Sequence, residues 1–267
     1  MNIYKREVKL KMVSAGIWSL SIAGIMILFM SVFSAFAGSS EMIDMIMENY
    51  PKELLQAFGM SGVDLGSVEG YFTMCMLFVQ LALAVQASIY GFSILSEEER
   101  DMTADFLLTR PVTRTRVYLS KSFSALSALV VTWAVTWGGT FLSIEIFRDG
   151  KEYDTVLMVK MVAVIILFQL FFFSVSMLIS VILKKIRSVL PYAMGLAFGM
   201  YMISSVGSII GEETLGYITP FKYFEPNSLI INGKYDALLL VVCCSIIVVS
   251  LISSYILYIR RNIHSAS

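Results

Sequence analysis

Six long apolar stretches limit the folds that this sequence can adopt. A helix of about 20 apolar residues crosses the hydrocarbon core of a bilayer. Backbone inside lipid must satisfy its own hydrogen bonds, and a membrane β-barrel would need alternating polarity that these stretches lack. The sequence therefore predicts an all-α integral membrane protein, with one transmembrane domain over residues 1–267. The six expected transmembrane helices cover approximately 17–37, 71–95, 123–144, 157–183, 189–210 and 237–259.

The composition excludes several other classes of protein. Only 15% of the residues are charged and 57% are hydrophobic, whereas soluble domains have about 25% charged residues. The net charge of zero gives no support to nucleic-acid binding. Cys75, Cys243 and Cys244 all lie in apolar stretches, which favours buried free thiols over a disulfide framework. With His264 as the one histidine, we expect no metal site and no histidine-based catalysis.

The basic residues predict the orientation in the membrane. If the N-terminus is inside, 14 of the 20 Lys and Arg residues lie in inner segments and 6 in outer ones. Inner loops carry the excess of basic residues in membrane proteins. We therefore expect both termini in the cytoplasm and a multi-pass protein of a bacterial cytoplasmic membrane.

The N-terminal segment has two features of its own. Residues 1–15 mix basic and apolar side chains, which predicts an amphipathic helix on the inner membrane interface. The following apolar stretch ends in Ala35-Phe36-Ala37, which resembles a signal-peptide cleavage site. Because that stretch is longer than a usual signal core, we interpret it as an uncleaved first span.

The outer loops and two polar features of the spans leave alternatives open. The long outer loop 38–70 is expected to form one or two short helices, and a disordered acidic loop is the alternative. The amide side chains within the spans either line a substrate path or form hydrogen bonds between helices. The glycine pairs with G-x-x-x-G spacing belong either to an interface between subunits or to packing within one subunit. The amides are Gln80, Gln86 and Gln169, and the glycine pairs are Gly195 with Gly199 and Gly207 with Gly211.

The inner segment between the second and third spans is the most informative part of the chain. Ser96 and Glu99 have capping-box spacing, and Pro111 favours a helix end just before it. We therefore expect a short cytoplasmic helix over about 96–110. It is either a solvated helix that obeys the positive-inside rule or an element that transmits motion from a cytoplasmic partner.

The stretch from Ser93 to Phe123 resembles the signature of ABC-2 type permeases. That signature has an acidic entry, then T-x-x-x-L-L-x-x-P-V-x-R, then a lysine that opens the next span. The pair Ala104 and Asp105 departs from the family's Gly and Glu-like pair, which leaves the subfamily open. The matching residues are Glu97, Glu98, Glu99, Thr103, Leu107, Leu108, Pro111, Val112, Arg114 and Lys121.

The resemblance implies the permease subunit of an ATP-binding cassette exporter for an apolar or amphipathic substrate such as a peptide, antibiotic or lipid. It implies pairing with a second copy or a paralogous permease in the lipid bilayer, and a separate ATPase subunit that holds ATP and Mg. The chain has no G-x-x-x-x-G-K-[ST] phosphate loop, so we expect it not to be an enzyme. The residues that the resemblance assigns to ATPase coupling are Ser96, Glu97, Glu98, Glu99, Arg100, Asp101, Met102, Asp105, Phe106, Leu107 and Arg110.

Two other functions are alternatives to export. A sensor or immunity protein would bind a toxic peptide without moving it. An intramembrane enzyme could use paired glutamates such as Glu97 and Glu98, but no second histidine and no Glu-Glu-x-x-x-Arg spacing is present. Ion-coupled carriers usually place charges in the middle of the membrane, and these spans do not.

Overall fold

The computed structural model describes residues 3–60, 62–100, 113–183, 186–211 and 213–260. Every regular element in these stretches is a helix, as the apolar stretches predicted. The described helices are α1 (Ile3–Ala37), α2 (Ser40–Asn49), α3 (Lys52–Ala57), α4 (Val68–Arg100), α5 (Arg114–Phe147), α6 (Thr155–Ala163), α7 (Ile165–Ile182), α8 (Val189–Ile210), α9 (Glu213–Gly216), α10 (Pro220–Tyr223), α11 (Pro226–Asn232) and α12 (Ala237–Arg260).

Six candidate membrane spans are present in the described residues, which confirms the predicted number. They are α1, α4, α5, the pair α6–α7, α8 and α12. The fourth span is interrupted only at Val164, whose backbone keeps right-handed helical angles. One nearly continuous helix therefore runs over Thr155–Ile182.

Helices α4 and α7 form the centre of the bundle. About two thirds of the apolar window of α4 is buried (67%), against 17% for α8. Helix α1 packs along α5, α8 packs on α4, and α12 packs on α7. The helices around this centre therefore each turn a broad apolar face away from the protein, as spans that face lipid or another subunit do. They are α1, α5, α8 and α12.

Buried aromatic rings fill the space around α7. Phe168, Phe172 and Phe173 are fully buried there. Phe221 of α10 lies 5.2 Å from Phe168 and 5.8 Å from Phe172, ring centre to ring centre, in edge-on arrangements. Edge-on aromatic pairs are favourable beyond the area that they bury. The short helix α10 is thereby anchored in the core rather than left on the surface.

The two ends of the bundle are distinct. We call the end at which α1 and α5 begin and α4 and α12 end the inner end, after the predicted orientation. There the Arg114 guanidinium donates to the carbonyl of Ile259 at 3.5 Å. At the opposite, outer end the connections contain α2, α3 and α9–α11, which we call the outer cap. Two short helices, α2 and α3, occur in the loop for which the sequence predicted one or two.

Lysine side chains tie the outer cap to the spans. The Lys151 ammonium donates to the carbonyls of Gly66 at 2.6 Å and Ala37 at 3.2 Å. The Lys160 ammonium donates to the carbonyl of Gly233 at 2.8 Å. These bonds satisfy carbonyls that no helix uses, so they hold loops in one arrangement.

The N-terminal region differs from the prediction. A separate interfacial helix over 1–15 is not observed, because α1 runs unbroken from Ile3 to Ala37. Lys and Arg are good helix formers, so a basic stretch does not by itself end a helix. The amphipathic pattern therefore shows where the surroundings of a single helix change. It does not show where one helix ends and another begins.

The predicted helix start at Ser96 is also wrong. Helix α4 continues through this position to Arg100, so residues 96–100 extend the second span. A capping box stabilises a first turn only when the preceding chain is not helical. The rest of the predicted coupling segment, 101–110, lies outside the described residues.

The three thiols are free, as expected. Cys75 and Cys243 are buried, but Cys244 is exposed on α12, so the prediction that all three are buried is wrong for Cys244. Successive positions of a helix point in different directions. One of two neighbouring cysteines therefore faces out when the other faces in.

Candidate functional site

Two buried lysines meet α4 at its inner end. The Lys11 ammonium of α1 donates to the Ser93 hydroxyl at 2.9 Å. The Lys121 ammonium of α5 donates to the carbonyl of Ile94 at 3.2 Å. Their relative exposures are only 8% and 5%. Two different helices thus hold successive residues of α4 just before Ser96.

Burial of these ammonium groups requires compensation. A buried ammonium without hydrogen bonds would cost several kcal/mol. Besides its bond to Ser93, the Lys11 ammonium lies 5.5 Å from the ring centre of Tyr90, within the range of a cation–π interaction. A buried cation held by directed bonds favours one arrangement of the helices around it.

Helix α7 meets the same turn of α4 from a third side. The Ser180 hydroxyl donates to the carbonyl of Phe92 at 3.2 Å. A Cβ at Gly91 would lie 1.9 Å from the Ser176 hydroxyl oxygen and 2.5 Å from the Phe173 carbonyl oxygen. Only glycine allows this approach, so the backbones of α4 and α7 touch here.

These contacts form one site, which we call the inner clamp. It consists of Gly91–Ile94 on α4 with Lys11, Lys121 and Ser180. Three helices therefore contact α4 within about one turn, immediately before the segment predicted to couple to an ATPase. A displacement of the end of α4 would move α1, α5 and α7 together.

The structure describes part of the predicted coupling set. The backbone of Ser96, Glu97, Glu98, Glu99 and Arg100 belongs to the last turn of α4. Asp101, Met102, Asp105, Phe106, Leu107 and Arg110 lie outside the described residues. The role of all eleven residues in coupling stays a prediction.

Sequence reasoning found one of the two buried lysines. Lys121 was part of the permease-like motif, but Lys11 was counted only as one of several inner charges. A signal for Lys11 does exist. Lys11 lies four residues before Ala15 and eleven before Ile22, so its position falls on the buried face of α1.

Amide and hydroxyl groups form a second polar cluster deeper in the bundle. The Gln86 amide donates to the Thr132 hydroxyl at 2.8 Å, and the Gln169 amide donates to the Gln86 carbonyl oxygen at 3.4 Å. The Tyr90 hydroxyl donates to the Ser14 hydroxyl at 3.1 Å. These bonds join α1, α4, α5 and α7. They correspond to the helix-joining interpretation of the amides, and a substrate path through them stays a prediction.

Gln80 has a different environment from the other two amides. It donates to the carbonyl of Phe224 at 3.0 Å, and it lines a small cavity of about 50 Å³ at the outer end. The Tyr201 hydroxyl beside it donates to the carbonyl of Ala57 at 3.0 Å. A cavity of this size and polarity has room for a few water molecules. The lining also includes Thr73, Ser204, Ser205 and Ser208.

Burial also affects a titratable group of the outer cap. It raises the pKa of the Tyr223 hydroxyl in α10 to about 12. This hydroxyl donates to the carbonyl of Tyr217, so it is held as a neutral donor. Within the described stretches no group of three His, Cys, Asp or Glu side chains could hold a metal ion.

The glycine pairs of α8 have contrasting surroundings. No atom of the described chain lies within 4 Å of a Cβ placed at Gly195 or Gly199. Internal packing, one of the two alternatives for this pair, is therefore not observed among the described residues. Gly207 is buried, and Gly211 ends the helix in a left-handed conformation with φ +73°.

Comparison with known proteins identifies the family. The model of the ABC-2 family transporter proteins matches residues 1–263. No curated protein matches the chain. The six apolar helices in the described stretches that are long enough to cross a membrane agree with the multi-pass component of such a transporter. The chain therefore belongs to the ABC-2 family of transporter proteins, whose members form the transmembrane part of ABC transporters.

Proposed function

We propose that this chain is the permease subunit of an ATP-binding cassette exporter, driven by ATP and Mg in a separate ATPase subunit. The inner clamp is the observation that carries the proposal. It ties the end of α4 to three other helices beside the acidic residues of the 96–110 segment. Force applied to that segment by a cytoplasmic partner would reach α1, α5 and α7 directly.

The clamp gives this coupling a physical route. Helix α4 is the most deeply buried span, so it cannot move without displacing its neighbours. Closure of the ATPase would tilt the 96–110 segment, and the lysine bonds would carry the tilt to α1 and α5. Helix α12 packs on α7 and would follow α7.

The substrate is proposed to be apolar or amphipathic. The deep polar cluster consists of amides and hydroxyls, so it offers hydrogen bonds but no titratable carboxylate. Proton- or ion-coupled transport usually depends on such charged groups. Peptides, antibiotics and lipids all fit this description.

A second permease, either another copy of this chain or a paralogue, is proposed to pair with it in a bacterial cytoplasmic membrane. The surroundings of Gly195 and Gly199 support a position for α8 at that contact. Small residues let helix backbones approach closely. Because only 17% of the apolar window of α8 is buried, the helix has a face available for a partner.

A crosslinking experiment tests the coupling segment. A photoactivatable amino acid replaces Met102 or Leu107, and another replaces Met45 on the exposed surface of α2 as the control. After irradiation of native membranes, mass spectrometry identifies the captured polypeptides. We expect a polypeptide with a phosphate loop from the first two positions and none from Met45. If neither inner position captures such an ATPase, the proposal fails.

A charge reversal tests coupling in the purified complex. Glu98→Lys together with Phe106→Ala should lower the amount of ATPase bound, or the rate of ATP hydrolysis that the permease supports. Glu41→Lys makes the same charge change at an exposed outer position and should leave both unchanged. Equal losses in the two variants would contradict the proposed docking segment.

A further inference from the structure

An open groove lies at the inner end of the bundle, between the start of α1 and the first turns of α5. Its volume is about 540 Å³, within the range of ordinary small-molecule sites. Tyr4 forms one wall and donates to, or accepts from, the Ser127 hydroxyl at 3.1 Å. The other wall is one face of α5, on which Arg116, Ser120, Phe123 and Ser127 recur at helical spacing.

The groove changes from polar to apolar along α5. Thr113, Thr115 and Arg116 lie at its start, and Leu119 and Phe123 follow. From Arg116 to Phe123 the helix rises about 10 Å. Leu119 is 42% exposed and Phe123 is 56% exposed. Large apolar side chains exposed on a membrane helix next to a basic end match the boundary between headgroups and acyl chains.

Arg116 supplies the charge of this groove. Among the described residues its guanidinium has no carboxylate partner, and its backbone N–H donates to the Thr113 hydroxyl at 3.3 Å. The neighbouring Arg114 instead donates to a carbonyl of α12. A guanidinium can donate two parallel hydrogen bonds to a phosphate. The charge of the groove is therefore complementary to a phosphate group.

We propose that this groove binds an anionic phospholipid of the inner leaflet. The Arg116 guanidinium would bind the phosphate, and Leu119 and Phe123 would contact the first part of an acyl chain. Lys5, Arg6 and Lys9 lie at the same end of α1 and add positive charge that attracts anionic lipid. The inference rests on the proposed function only for the orientation of the inner end.

The test measures lipid retention by the purified full chain without any ATPase, so it is independent of the proposed motor. The chain in detergent is titrated with phosphatidylglycerol or with phosphatidylcholine of the same acyl chains, and native mass spectrometry counts retained lipids. We expect phosphatidylglycerol to be retained at about tenfold lower concentration. Equal retention of the two lipids by the wild-type chain would overturn the proposal.

Two arginine variants provide a matched comparison. Arg116→Gln should remove most of the preference for phosphatidylglycerol and leave only the weaker attraction of the basic residues of α1, whereas Arg114→Gln removes the same charge outside the groove and should keep the preference. Because Arg116 is exposed, its replacement should leave thermal unfolding unchanged. An equal loss in both variants would show general electrostatic attraction and overturn the specific site.

Two further measurements distinguish a phospholipid from a free phosphate compound as the ligand of the groove. Phe123→Ser should weaken retention of both lipids by a similar factor, because it removes only an acyl-chain contact. Glycerol phosphate, which lacks acyl chains, should fail to displace phosphatidylglycerol at equal concentration. Displacement at equal concentration, or a Phe123→Ser variant that binds as tightly as the wild type, would point to a free phosphate and overturn the lipid assignment.

Discussion

Gly91 in α4 and Gly199 in α8 are glycines of apolar membrane spans, yet their surroundings are opposite. A Cβ at Gly91 would collide with the Ser176 hydroxyl at 1.9 Å. A Cβ at Gly199 would meet no atom of the described chain within 4 Å. The first glycine is needed for contact inside the subunit, and the second leaves a surface open for something outside it.

The same contrast holds for the whole helices. Helix α4 is surrounded by α1, α5, α7 and α8, while α8 packs mainly on α4. In lipid, helices gain little from burying apolar surface, so close packing and hydrogen bonds decide which helices associate. A glycine therefore shows where backbones can approach, and only its neighbours show whether they do.

The largest effect is expected from Gly91→Ala. The added methyl group would force α4 and α7 apart, and overpacking of this kind costs about 1–3 kcal/mol. The free energy of unfolding can be measured by denaturation in mixed micelles. Gly24→Ala is the control, because a Cβ there meets no described atom within 4 Å. A Gly91→Ala variant as stable as Gly24→Ala would contradict the close contact.

The Lys151→Met variant tests whether the outer cap is held as tightly as the centre of the bundle. The change removes the bonds to the carbonyls of Gly66 and Ala37. Charge-assisted hydrogen bonds contribute about 1.5–3 kcal/mol each when intact, and exposure to water reduces that value here. Hydrogen exchange should become faster over residues 37–66 and stay unchanged in α7. Lys234→Met, which alters another outer lysine, should leave exchange over 37–66 unchanged.

Gln86→Leu tests the polar cluster of the packed region. The variant loses the bond to Thr132 and leaves the Gln169 amide without its acceptor. Interhelical hydrogen bonds in membranes contribute about 0.6 kcal/mol on average, and up to about 1.7 kcal/mol. We expect a loss of about 1 kcal/mol in the free energy of unfolding. The double variant Gln86→Leu and Gln169→Leu should recover part of it, which additive losses would contradict.

The smallest effect on the stability of the single subunit is expected from Gly199→Ala. With open space around the Cβ, the change should stay within about 0.5 kcal/mol. Its effect should appear instead in association, measured by single-molecule photobleaching in vesicles, as a smaller fraction of paired subunits. A fall in subunit stability equal to that of Gly91→Ala would remove the contrast between α4 and α8.

Much of the fold could be predicted because it depends on local composition. The six spans follow from the length of apolar stretches, and each expected span lies within an observed helix or, for the fourth, within the α6–α7 pair to within a residue. The helix boundaries predicted at residue 15 and at Ser96 were wrong for a common reason. Charged residues and the spacing of a capping box can occur inside a helix without ending it, since Lys, Arg and Glu favour helical backbone.

The candidate site was less predictable. The motif pointed to Lys121, but the contacts that make the inner clamp join residues far apart in sequence. Lys11 and Ser93 are 82 positions apart, and Ser180 and Phe92 are 88 apart. No local pattern distinguishes a lysine that bonds to α4 from one that reaches the headgroups, because both lie near the basic end of a span.

The amino-acid sequence alone determined the membrane class, the number of spans and the family resemblance, since each depends on the order of residues along one helix or one loop. The tertiary structure alone decided which glycine is a contact point, which amides bond to each other and which lysines are buried. Those properties depend on distances between helices, which hydropathy along the chain does not encode. Packing in lipid is set by fit and hydrogen bonding between faces, so only the assembled bundle reveals it.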